Sequence, residues 1–244
     1  NSSARMVAVG WLEAGTTIAT KWQLESGKMI SVGTTFKAVH LEFYDYQTVA
    51  SDVDTDNLRG DQYRSNEDFF TADFGAILSM DEMDKWRVGV SVKNIIGAEI
   101  ETNPHFMNEN QEKLIYKVEP QIRVGTSYNA GWIRLAVDYD ITESKGPMYE
   151  DGTEFFKGSQ YLSAGAIINA FDFVELRGGY RHNLVSGDVE AGSSEGDGII
   201  TLGAGVYLGP IQVDLAIEAS SQTEVDDLSS FKNIGASLQT MITW

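Results

Sequence analysis

The feature that most constrains this chain is a strict two-residue alternation of apolar and polar side chains, repeated along nearly its whole length. Ile133, Leu135, Val137, Tyr139 and Ile141 alternate with Arg134, Ala136, Asp138 and Asp140. Val174, Leu176, Gly178 and Tyr180 alternate with Glu175, Arg177, Gly179 and Arg181, and Ile211, Val213, Leu215 and Ile217 with Gln212, Asp214, Ala216 and Glu218. A period of two is the signature of a β-strand whose faces meet different surroundings. Weaker copies run through Phe70 to Met80, Trp86 to Val92, Leu114 to Tyr128, Tyr161 to Asn169 and Ile200 to Leu208. The last copy sets Ile234, Ala236, Leu238, Ile242 and Trp244 on one face.

Three properties separate a membrane barrel from a soluble sandwich. Many segments reach the roughly 9 to 11 residues that a tilted strand needs to cross a bilayer. Full charges sit in mid-strand opposite an apolar face, the pattern of a barrel with a polar lumen. The connections alternate in length. Short ones at Glu25-Ser26-Gly27, Asp81 to Asp84, Asn129-Ala130-Gly131, Asn169 to Asp172 and Leu208-Gly209-Pro210 are separated by long ones. The long ones lie near Gln47 to Asp68, Glu101 to Glu112, Thr142 to Glu154, Asn183 to Asp197 and Ser220 to Ser230. Short periplasmic turns and long external loops are the habit of outer-membrane barrels. The expected fold is therefore all-β: one transmembrane antiparallel up-and-down barrel over residues 1–244, in a bacterial outer membrane.

The segment Arg5 to Leu24 changes phase, from Val7, Val9 and Trp11 to Ile18, Thr20 and Trp22. Splitting it gives about twelve strands with both ends on the periplasmic rim, whereas one strand gives eleven and suggests additional N-terminal sequence. Met29 to Tyr46 also changes phase, from Ile30, Val32, Thr34, Phe36 and Ala38 to Val39, Leu41 and Phe43. A β-bulge or a strand projecting above the bilayer is the simpler expectation. The alternative is an apolar patch turned into the upper lumen, suited to a lipid-like ligand.

Charge sorts by the same pattern. The formal net charge is −18, with 36 acidic against 18 basic residues, so the clustered cations that bind nucleic acid are not expected. Much of the acidity falls in the long connections. The expected lumen lining is nearer balance: Arg87, Lys93, Lys117, Arg123, Arg134, Arg177 and Arg181 against Glu119, Asp138, Glu175, Asp214 and Glu218, with Asp140 on the same face. Trp22, Trp86, Trp132 and Trp244 fall near the short turns and are expected to form an aromatic girdle. The terminal aromatic Trp244 resembles the signal by which barrels are recognised for insertion.

Chemistry finds little support. Asp52, Asp54 and Asp56 space their carboxylates like the start of a calcium loop. Asn57 replaces the turn glycine, however, and Tyr63 the closing glutamate, so a solvated acidic loop is expected. There is no cysteine, no phosphate loop and no dinucleotide fingerprint. Of His40, His105 and His182, the least poor candidate is His182, near the rim and next to Asn183, and no nucleophile pairs with it. No enzyme activity and no cofactor are expected; the expected partners are outer-membrane lipid and an envelope protein.

Lys37 to Tyr46 (KAVHLEFYDY), Trp86 to Ile96 (WRVGVSVKNII), Tyr116 to Tyr128 (YKVEPQIRVGTSY) and Leu208 to Glu218 (LGPIQVDLAIE) resemble the TraF-like family of conjugal-transfer outer-membrane proteins. More distantly, the pattern is similar to transporters of hydrophobic compounds of the long-chain fatty-acid type. The resemblance implies an envelope role tied to conjugation, additional N-terminal sequence and no catalytic residues. A conjugation-associated structural or interaction protein with a polar, largely filled lumen is thus expected. The competing expectation is a passive pore or transporter for small or hydrophobic solutes.

Overall fold

The computed structural model describes residues 3–49, 60–81, 83–102, 112–185, 198–221 and 231–242. Its main body is one antiparallel sheet of eleven strands, each hydrogen-bonded to the next in chain order apart from two inserted segments. The strands are β1 (Ser3–Gln23), β2 (Met29–Val49), β3 (Arg64–Ser79), β4 (Trp86–Lys93), β7 (Gln121–Asn129) and β8 (Ile133–Asp140). They continue with β10 (Tyr161–Phe171), β11 (Val174–Asn183), β12 (Gly198–Leu208), β13 (Ile211–Ser221) and β14 (Phe231–Ile242). The inserted segments supply β5 (Ala98–Glu101), β6 (Leu114–Val118) and β9 (Met148–Tyr149), which pair in the order β5-β6-β9 as a second, small sheet.

Tight turns collect at one end. Gly27 and Gly209 there adopt left-handed backbones, with φ of 80° and 64°. A side chain would strain that conformation, and glycine removes the strain. The long connections, including both inserted segments, leave from the opposite end. Nearest neighbours in sequence are therefore nearest neighbours in the sheet. β1 and β14 form its two edges and, among the described residues, are not paired with each other.

Faces follow the alternation. Leu12, Ile18, Leu135, Val137, Leu176, Leu202, Leu215, Ile217, Ile234 and Leu238 all point outward and are exposed. So continuous an apolar exterior is foreign to a soluble monomer, where contiguous apolar patches rarely exceed a few hundred Å².

β1 is a single strand. Its register against β2 runs unbroken from Ser3↔Val49 to Gln23↔Met29, so the expected split within Arg5 to Leu24 does not occur and the main sheet counts eleven strands. β1 starts at the long-loop end and β14 finishes at the turn end, so the two ends of the sheet do not share a rim. The phase change arises because the apolar residues swap faces along one straight strand. β2 behaves likewise. No bulge interrupts it against β1 or β3, so of the expected causes the bulge is overturned and the projecting strand and the inward patch remain. Ile30 to Ala38 carry the outward apolar face, and Val39, Leu41 and Phe43 turn inward and are buried.

The long strands explain this. Ile30 to Ala38 spans about 26 Å of strand, close to a tilted bilayer crossing, and Val39 to Val49 adds roughly 35 Å beyond it. The small sheet covers the inward face of that extension. Leu41 and Phe43 pack with Ile100, Leu114, Val118 and Phe155, flanked by Val7, Phe69, Tyr116, Tyr149 and Phe156. Leu114 to Tyr128 is correspondingly two strands, broken at Glu119-Pro120, because proline cannot donate to a ladder.

Phe43 is fully buried, while the outward Phe70 is 77% exposed. Phe43→Ala is expected to destabilise the packing of the small sheet by about 3 kcal/mol and to open it to limited proteolysis. Phe70→Ala should leave the digestion pattern unchanged.

Candidate functional site

The functional surface to be judged is the inward face of the main sheet and the cap that β5, β6 and β9 place over its long-loop end. The cap is tied to the wall by Arg5. Its guanidinium donates twice to Asp45, at 2.9 and 2.7 Å, in the ladder of β1 and β2. It also lies 5.7 Å from the centroid of Tyr149 and 5.2 Å from that of Phe155, both in the cap segment, and donates to the Glu112 carbonyl at 3.0 Å. One cation therefore joins the wall to the cap, with its charge neutralised by a fully buried carboxylate.

A polar layer lies beneath the apolar core. Lys37, buried on β2, contacts Asp73 at 3.0 Å, Glu13 at 3.3 Å and the Asn94 side-chain oxygen at 3.1 Å. These three acceptors compensate the cost of burying the ammonium. Neither Arg5 nor Lys37 was expected as a site residue. Their signal was present in the face change after Ala38, but the partners lie far off in sequence.

Below this layer the inward face of the sheet is open. A cavity of about 630 Å³ is lined by Arg87, Lys93, Arg123 and Asp138 among glycine, serine and threonine positions. A second, of about 450 Å³, takes Arg134, Arg177 and Asp214. A smaller one, of about 160 Å³, brings Arg181 beside Lys93 and Arg123. Glu175 is buried in a recess at the turn end with Trp132 and Tyr207. Glu218 shares the inward face of β13 with Asp214 and lies over Gly235 of β14.

Two expected lumen residues are placed elsewhere. Lys117 belongs to β6 in the cap, 3.0 Å from Glu99, and Glu119 sits at the break before Pro120. The wall does not continue through Leu114 to Val118, so neither residue lines it. Trp22 and Trp86 are exposed at the turn end, each on the apolar outward face, and Trp86 packs on Tyr128 at 4.6 Å. Trp132 is exposed at the same rim but on the recess side. His182 stacks on Tyr180, and His40 pairs with Asp68 at 2.7 Å. Trp244, His105, Asp52, Asp54 and Asp56 lie outside the described residues; among those described, no group of three or more carboxylate or imidazole side chains could hold a metal ion.

The ion pairs of the inward face are local. Arg123 on β7 reaches Asp140 on adjacent β8, and Arg177 bonds Glu175 on its own strand and Asp214 on β13 at 2.9 Å. The second pair crosses β12 because Gly205 has no side chain: a Cβ there would lie 2.7 Å from Asp214 Oδ1. Among the described residues these charges pair along the inward face of the sheet, and the cap packs over its long-loop end.

Residues 1–140 match the family described as F plasmid transfer operon, TraF, protein. Among solved structures, a Pseudomonas aeruginosa FadL homologue aligns with a TM-score of 0.53 at 10% identity, covering 95% of this chain and 66% of that one. At that identity the likeness is one of fold, and the chain spans just under two thirds of that protein's length. The siderophore receptor PiuA from Acinetobacter baumannii aligns at a TM-score of 0.39 and 12% identity, over 98% of this chain and 36% of that one. No curated protein matches the sequence significantly.

Two expectations follow from the ion pairs. Arg5→Met removes the bidentate partner of buried Asp45 and should cost about 3 kcal/mol in chemical denaturation, much of it recovered on adding Asp45→Asn. In the turn before β4, Asp84 is held down to about 2 by hydrogen bonds from Arg87 and, secondarily, Ser79. Its contribution is therefore complete above the ordinary carboxylate value of 3.8 and fades as pH falls toward 2. Asp84→Asn should lower neutral-pH stability by about 1 kcal/mol after solvent screening, and the loss relative to wild type should disappear near pH 2 in acid titration.

Proposed function

The chain belongs to the family of the F plasmid transfer operon TraF protein, and from that premise we propose that it is an integral outer-membrane barrel acting as a conjugation- or envelope-associated interaction protein. The barrel anchors it in outer-membrane lipid, and the capped extension of β1 to β3 is the rigid platform presented to an envelope protein partner. It performs no catalysis and requires no cofactor. With acids outnumbering bases two to one, nucleic acid is not its partner.

The observation that carries this reading is where the chain spends its apolar side chains. Its buried cluster lies at the long-loop end, joining wall to cap, and is pinned there by Arg5 and Asp45. A pore would gain nothing from burying such a cluster across its own mouth. For an anchored platform, the same cluster fixes the shape of the extramembrane surface.

The second reading, a passive pore or transporter for small or hydrophobic solutes, is favoured by the cavities of about 630 and 450 Å³ under the cap. The fold likeness to the FadL homologue is compatible with both readings. Planar-bilayer recording separates them. The platform reading expects the purified wild-type protein to be electrically silent and Arg5→Met/Phe43→Ala to show stepwise currents. Steady wild-type currents that change on substituting Arg123 or Arg177 would sink it in favour of the pore.

A further inference from the structure

We infer that the lumen holds an oxyanion-binding site just beneath the cap, formed by Lys93, Arg123 and Arg181. The three come from β4, β7 and β11, yet they line a single small recess whose remaining surface is mostly hydroxyl and amide. Only one carboxylate, Asp140, lines it with them. Three cations to one anion is the reverse of the chain's overall ratio of 18 to 36.

Asp140 is already committed. Its Oδ2 accepts from Arg123 at 3.1 Å and from the backbone N–H of Tyr161, also at 3.1 Å, while Oδ1 takes Arg123 Nε. Arg123 is thereby fixed in position with part of its guanidinium still facing the recess. The guanidinium carbon of Arg181 lies over the Tyr161 ring at 4.5 Å from its centroid, and among the described residues neither Arg181 nor Lys93 forms an ion pair. Among the described residues two of the cations thus lack a carboxylate partner, and the third is oriented by one. An arginine stacked on an aromatic face keeps the edge of its fork free for an oxyanion.

Size and surroundings set the ligand class. A recess of about 160 Å³ holds the space of about five water molecules, enough for a carboxylate or phosphate group with part of its hydration. Ser91, Lys93 and Arg123 also line the 630 Å³ cavity, so a substituent on the anion can continue into a space walled by Gly33, Gly75, Gly89 and Gly125. The shared chemistry is an oxyanion, whether free in solution or the head of a small amphiphile. The inference rests on the barrel reading of the fold and is independent of whether the cap is a platform or a gate.

The test is calorimetric titration of the full chain in detergent micelles at low salt, with inorganic phosphate in one arm and decanoate in the other. The barrel is confirmed in each sample by the mobility shift between boiled and unboiled protein. Lys93→Met/Arg181→Met spares the Arg123 and Asp140 pair, and Lys117→Met serves as a cation control in the cap. The site predicts binding in at least one arm, weakened tenfold or more in the double variant, unchanged in Lys117→Met and reduced by added chloride. Phosphate binding alone marks a free-anion site, and decanoate binding alone an amphiphile's head group. A heat-modifiable wild type that binds neither ligand overturns the site while leaving the barrel standing. So does a double variant that binds as tightly as wild type.

Discussion

The unbroken hydrogen-bond ladder between β1 and β2 is the constraint on which the rest of the structure depends. With no residue bulged from Ser3↔Val49 to Gln23↔Met29, side chains must alternate without exception over the whole hairpin. Apolar residues that change parity in the sequence therefore change face in space. Below Ala38 they point outward. Above it Val39, Leu41 and Phe43 point inward, where an uncovered apolar face would meet water. Something has to cover them, and the segments between β4 and β7 and between β8 and β10 do so.

That covering divides the interior into three levels. The apolar core is uppermost, fixed to the wall through Arg5, Asp45, Tyr149 and Phe155. Lys37 with Glu13, Asp73 and Asn94 forms a polar floor beneath it. Below that lie the cavities, whose charges pair along the wall. Pairs within one strand, or between strands one or two places apart, hold each long side chain against its own sheet. Glycines such as Gly205 make the flat arrangement possible by removing the side chain over which Arg177 passes to Asp214.

Much of this was legible beforehand, in unequal parts. The strands β7, β8 and β10 to β14 and all five tight turns could be read directly, because period-two patterning and turn glycines are local properties, whereas β9 fell inside an expected long connection. The inward charges Arg87, Arg123, Arg134, Asp138, Arg177 and Asp214 followed from parity alone. Lys117 and Glu119 were misplaced because parity gives a face only while the strand continues, and Pro120 ends that continuity. The face change in β2 was visible, but a bulge and an inward patch produce the same string of letters; only the partner strand's register distinguishes them.

The sequence by itself therefore determined the class of fold, the positions of turns and long connections, and which side chains share a face. Each is set by a periodicity or by a backbone conformation available to few residues. Tertiary structure alone decided what the faces meet: that the upper inward face is closed by a cap, that Arg5 holds that cap, and that Lys93, Arg123 and Arg181 share a recess. Those contacts join residues from about 30 to 150 positions apart, and loop closure over such distances leaves no local mark in the chain.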